Sequence, residues 1–213
     1  MQSGIIMNIF KKTKSDVSRL ESWAPWILTL GGSIGILASL GLSIEEFKHL
    51  KNPSVALGCD INPIIGCGNI LDTWQGHALF GIPNQFLGAI AFTVIAMVGM
   101  GILAGAEYKK WFWQITHLSL FMGVLFVHWF IFQSLFVLKH LCPFCMVTWV
   151  TTIITFWYIL LYGLRKEHLR LHGSLNRLVR FAQKYHLEIV VAWLLVILTA
   201  IIWRFWYYWS TLL

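Results

Sequence analysis

Long apolar runs, broken by short polar stretches, set the pattern of this chain. A hydrocarbon layer about 30 Å thick is crossed by roughly 20 apolar residues in helical form. Five runs meet that length: residues 26–44, 85–103, 111–138, 143–162 and 189–208. The third is long enough to tilt or to project beyond the hydrocarbon. The fifth is interrupted by Arg204, which sits beside Phe205, Trp206, Tyr207, Tyr208 and Trp209. Such a cluster suits the headgroup region, where an arginine snorkels toward water. The pattern predicts an all-α membrane protein, with no internal repeat and no low-complexity tract. One long segment lies outside the runs, residues 45–83. The basic segment 164–188, with apolar residues interspersed, reads equally as a partial helix on the membrane surface and as a solvated linker. Gly31 and Gly35 form a GxxxG in the first run, a spacing that lets a neighbouring helix approach closely; Gly99, Gly101 and Gly123 invite the same reading.

Composition agrees: 58% of residues are hydrophobic and 12% charged, against about 25% charged in soluble domains. Charge then gives orientation, because Lys and Arg gather on the cytoplasmic side. Twelve of the 16 basic residues fall before run 1 (Lys11, Lys12, Lys14, Arg19), between runs 2 and 3 (Lys109, Lys110) and between runs 4 and 5 (Arg165, Lys166, Arg170, Arg177, Arg180, Lys184). Lys48, Lys51, Lys139 and Arg204 fall on the other side. The expectation is a multi-pass protein of the inner (plasma) membrane, N-terminus cytoplasmic and C-terminus extracytoplasmic. The net charge of +7 is explained by anionic lipid at the inner face and calls for no nucleic acid. The first run is long and Gly-rich without a small-residue cleavage site, so residues 1–23 read as a cytoplasmic segment rather than a cleaved leader.

On this topology all four cysteines fall on the outer side: Cys59 and Cys67 in the 45–83 segment, Cys142 and Cys145 at the opening of run 4. Outside the cytoplasm disulfides persist. In "CPFC", residues 142–145, Pro143 suits the first helical position, which leaves Cys142 near the N-cap. Free N–H groups and the helix dipole there stabilise a thiolate. Cys145 lies one turn on, nearer the apolar interior. Thiol exchange needs one sulfur open to attack and a second to pass electrons onward. A Cys₄ zinc site and inert buried cysteines are the alternatives. His117 and His128 share a face of run 3 and admit a haem pair, but read more simply as hydrogen-bonded core residues. Electrons leaving Cys145 need an acceptor soluble in lipid, for which a quinone is suited.

The stretch "CDINPIIGCGNILDTWQGHALFGIPNQFLG", residues 59–88, with CPFC opening the fourth run, resembles the vitamin K epoxide reductase family in its bacterial form, over residues 24–163. DsbB-like quinone reductases place the two cysteine pairs in the opposite order. The resemblance implies a four-helix transmembrane bundle around a quinone (ubiquinone or menaquinone), an outer-loop cap with a short helix, and here a fifth transmembrane helix. It divides the chain into an N-terminal segment (1–23), a catalytic domain (24–163), a basic linker (164–188) and the fifth helix (189–213). It implies that Cys59 and Cys67 take electrons from a thioredoxin-like partner and pass them to Cys142, and that Cys145 faces the quinone. Asn84 matches a family asparagine that bonds a quinone carbonyl; a helix N-cap is its plainer role. Thr73 falls near a family serine of the cap, and Trp74, His77 and Phe80 are further pocket candidates. Trp149 stands where animal members carry tyrosine, which sets animal-type epoxide chemistry apart from this chain. Some bacterial members carry a fused thioredoxin-like domain; without one, the expected partner is a separate DsbA-like or thioredoxin-like protein. The rival functions are a quinone-epoxide or quinone reductase for a vitamin K-type cycle, a non-enzymatic metal-binding membrane protein, and a structural membrane subunit.

Overall fold

The structure, a computed structural model, describes residues 2–165 and 175–211. Among them, five helices are long and apolar enough to cross a membrane: Ser22–Lys51, Asn84–Leu103, Lys110–Leu138, Pro143–Leu164 and His186–Arg204. The first belongs to α1 (Gln2–Lys51), which passes Pro25 without a break; Thr29 Oγ1 donates to the Pro25 carbonyl at 2.9 Å. A cap follows, carrying the short helix α2 (Gly68–Leu71) and a 3-10 turn at Trp74–His77. Then come α3 (Asn84–Leu103), α4 (Lys110–Phe132), α5 (Pro143–Arg165), α6 (Leu175–Lys184), α7 (His186–Arg204) and α8 (Trp206–Trp209). The predicted short cap helix is therefore present. The basic 164–188 segment contributes α6, and its residues 166–174 lie outside the described residues.

α1 packs on both α3 and α5, and α5 packs on α4. Missing side chains let these helices close up. A Cβ on Gly32 would lie 2.5 Å from the Ala96 backbone nitrogen of α3, and one on Gly99 2.6 Å from the Thr29 nitrogen of α1. The GxxxG glycines divide their work: Gly35 faces the Phe92 ring of α3, whereas Gly31 faces Thr155 of α5. The small-residue seam between α1 and α3 thus runs through Gly32 and Gly35. Gly123 has only an ordinary contact with Thr152, at 3.7 Å from a built Cβ.

Both core histidines are bonded within the protein. His117 is buried with Nδ1 and Nε2 facing the Trp113 and Ile159 carbonyls. His128 faces the Val124 carbonyl through Nδ1 and accepts from Trp193 Nε1 of α7 at 2.9 Å. The latter bond ties the fifth span to the four-helix core. α7 also buries Val190, and Phe205 just beyond it is fully buried.

α4 does not run straight into its loop. It continues through a π turn, Gln133–Leu138, and ends where Lys139 takes a left-handed conformation (φ 58°). The chain then crosses to the cap as a single parallel bridge between Leu141 and Ile65.

Candidate redox site

That bridge positions the cysteines. The Leu141 N–H donates to the Ile64 carbonyl at 2.8 Å, and the Gly66 N–H donates to the Leu141 carbonyl at 2.8 Å. Cys142 follows Leu141 and Cys67 follows Gly66, and their sulfurs lie 3.5 Å apart. Cys67 is joined to Cys59 in a disulfide, S–S 2.04 Å; Cys142 and Cys145 are free thiols. All four predicted cysteines meet at one end of the bundle, with three sulfurs in sequence: Cys59, Cys67, Cys142. In this arrangement Cys59 and Cys67 are bonded to each other, and Cys142 and Cys145 stand as thiols.

Local sequence explains the cap's shape. Asn62, ahead of Pro63, accepts from the Ile64 and Ile65 N–H groups at 2.9 and 2.8 Å. This side-chain-to-backbone turn reverses the chain between the two cysteines. Asp60 then fixes Cys67: its Oδ1 accepts from the Cys67 N–H at 2.8 Å and the Gly68 N–H at 3.4 Å, and its Oδ2 accepts from Leu57 N–H at 3.3 Å.

Cys142 precedes the first turn of α5, as Pro143 leads one to expect. Its sulfur accepts from the Cys145 N–H at 3.4 Å. The thiol is held below its ordinary pKa first by the hydrogen bond from the Cys145 thiol, then by the Cys145 and Phe144 N–H groups. Burial and the Asp60 charge act the other way and do not win. Cys142 is fully buried under the cap, and Cys145 is half-buried.

The predicted pocket residues divide into two groups. Trp149 is buried one turn beyond Cys145, its ring edge-on to Phe130 at 6.4 Å. Phe130 stacks on Phe126, Phe126 meets Trp129, and Trp129 meets Trp74 of the cap at 5.9 Å. This aromatic wall of α4 went unread in the sequence, although positions 126, 129 and 130 share a helical face. The remaining residues stitch the cap down. Asn84 is not an N-cap; Pro83 holds that place. Its Nδ2 donates to the Gln75 carbonyl at 2.6 Å and its Oδ1 accepts from the Ala78 N–H at 3.2 Å. Thr73 Oγ1 donates to the Ile70 carbonyl at 2.7 Å. His77 lies 3.4 Å from buried Glu46, which also bonds Gln85 of α3. Phe80 stands at the tip of a tight turn with Gly81, both at positive φ, and is 94% exposed.

Further contacts close the cap on α1. Glu45 Oε2 accepts from the Gly58 N–H at 2.8 Å, and His49 Nε2 donates to Asp72 Oδ1 at 2.9 Å. These polar partners at the end of α1 gave no signal as site residues in the sequence, because each acts only through a distant stretch of chain. A separate apolar groove of about 970 Å³ runs between α1 and α5, lined among others by Trp26, Ile34, Met146 and Thr155; none of the predicted pocket residues lines it. A family model described as the vitamin K epoxide reductase family matches residues 26–160.

Proposed function

The chain belongs to the vitamin K epoxide reductase family, and on that premise we propose that it reoxidises a separate thioredoxin-like thiol oxidase and delivers the electrons to a membrane quinone. Membership makes it a membrane oxidoreductase of the quinone- or epoxide-linked disulfide class. The finer reading rests on one observation, the 3.5 Å approach of Cys67 Sγ to Cys142 Sγ beside a formed Cys59–Cys67 disulfide.

The exchanges follow in order. A partner thiolate attacks Cys59 Sγ; the Cys59–Cys67 bond breaks and Cys67 leaves as thiolate. The partner's second thiol attacks its own sulfur in the mixed disulfide, so the partner departs oxidised and Cys59 is released as a thiol. Cys67 attacks Cys142 in the oxidised CxxC, and Cys145 leaves as thiolate. Cys59 then attacks Cys67, restoring the loop disulfide and freeing Cys142. The sulfurs end as they stand here: loop oxidised, CxxC reduced, Cys142 favoured as thiolate. Quinone, when bound, accepts the electron pair with two protons as the CxxC returns to the disulfide.

The residues suit a flat apolar ring. Phe126, Trp129, Phe130 and Trp149 give an aromatic wall packed on the same core as half-buried Cys145. Asn84 Nδ2 carries a second hydrogen beyond its bond to Gln75 and can donate to a carbonyl. Trp74 of the cap extends that wall through its contact with Trp129, and Thr73 and His77 help to hold the cap's shape. Positive charge opposite the cysteines favours an orientation with the relay outside the cytoplasm.

Anaerobic mixing of the chain with a reduced thioredoxin-like protein and a quinone analogue tests the reading. Quinone absorbance should fall in the intact chain and stay constant in Cys145→Ala. Equal loss in both would defeat it.

A further inference from the structure

We propose that Arg204, at the end of the fifth span, is a positioning residue for the exchange between Cys67 and Cys142, so that α7 is a working part of the relay. This rests on the relay read above. Sequence patterning makes Arg204 a snorkelling residue; its Nε donates to the Leu135 carbonyl at 2.9 Å. Leu135 lies in the π turn that ends α4, where the last carbonyls have no N–H further along the helix to bond. Leu135 is buried, and an unmet carbonyl there would favour another course for the turn.

That turn determines where Cys142 sits. Lys139 leaves it left-handed, His140 N–H donates back to the Ser134 carbonyl at 3.2 Å, and Leu141 enters the bridge to Ile64 and Gly66. Seven residues after the carbonyl held by Arg204 comes Cys142. Phe205, fully buried, fixes the helix end that carries the arginine. Among the described residues no carboxylate pairs with Arg204. The guanidinium serves the carbonyl end of α4, where a cation is favoured by the helix dipole.

The step served is the attack of Cys67 thiolate on Cys142 Sγ, which forms the Cys67–Cys142 bond, breaks Cys142–Cys145 and releases Cys145 thiolate. The test isolates sulfur geometry from quinone and partner. In the full chain carrying Cys59→Ala and Cys145→Ala, diamide oxidation joins Cys67 to Cys142, and the rate is followed by a gel shift. Adding Arg204→Leu should slow that cross-link about tenfold, and Arg204→Lys, which keeps a donor, should restore most of the rate. Cross-linking as fast in Arg204→Leu as in the parent overturns the proposal, and so does a slow rate in Leu and Lys variants alike. Should Arg204→Leu fail to fold, Arg204→Met, which is long but has no donor, takes its place against the Lys variant, and equal rates in Met, Lys and the parent overturn it as well. Should the chain with all four cysteines reduce no quinone, the functional reading fails, while the arginine comparison in the double-cysteine variant still decides this one.

Discussion

At the scale of single residues, the proposed relay turns on Cys142 and Asp60. Cys142 is favoured as thiolate, so it retains nucleophilic form as pH falls past the ordinary thiol value of about 8.5. Titration of thiolate absorbance, with Cys142→Ser as the blank, should place its ionisation below that value; a midpoint at or above it would contradict the hydrogen-bond assignment. Asp60 opposes this by its charge and supports the site by its geometry, holding the Cys67 and Gly68 N–H groups. The two roles separate by substitution. Asp60→Asn keeps an acceptor and removes the charge, and should move the Cys142 ionisation lower still. Asp60→Ala removes both, and should slow the Cys67–Cys142 cross-link about tenfold, equivalent to ~1.4 kcal/mol of lost positioning.

Helices meet here through absent side chains, and the consequences fall on particular pairs. Gly32 lies against backbone of α3, which cannot rotate away as a side chain can. Gly32→Leu should therefore force α1 and α3 apart and lower the thermal midpoint in detergent by an amount equivalent to about 1–3 kcal/mol. Gly123→Ala, whose new methyl would meet only Thr152 at 3.7 Å, should leave it unchanged. Equal effects would mean that the α1–α3 seam is not a close one. The end of α4 shows the converse: a π turn and one left-handed residue redirect the chain toward the cap, and a helix distant in sequence supplies the missing donor.

Across the whole molecule, the relay is closed to solvent at its entry. Cys59 is 5% exposed and Cys67 0%, so the proposed attack of a partner thiol on Cys59 requires the cap to lift. Its fastenings to α1 and α3 include His49–Asp72, Glu45–Gly58 and Asn84 with the 3-10 turn. Asp72 is largely exposed, and Asp72→Ala removes one fastening without touching a cysteine. Reduction of the Cys59–Cys67 disulfide by a bulky water-soluble phosphine should then quicken about fivefold, as ~1 kcal/mol of lost closure implies. An unchanged rate would show that the disulfide is reached without lifting the cap.

Five spans and a cysteine pair opening the fourth follow from local pattern, run length and Cys-Pro-x-Cys at a helix start, whereas the cap with a short helix comes from the family resemblance. The spans and that pair depend on residues near one another in the chain, so hydrophobic periodicity and spacing report them. What the tertiary structure alone decided is which sulfur faces which, through the Ile65–Leu141 bridge; the bond from Arg204 to the Leu135 carbonyl; and the cap-binding work of Asn84, His77 and Glu46. These contacts pair groups such as Asn84 and Ala78, 6 residues apart, and Cys67 and Cys142, 75 apart along the chain. A polar residue in an apolar run looks the same in sequence whether it snorkels to water or bonds a buried carbonyl, because the difference lies in what packs beside it.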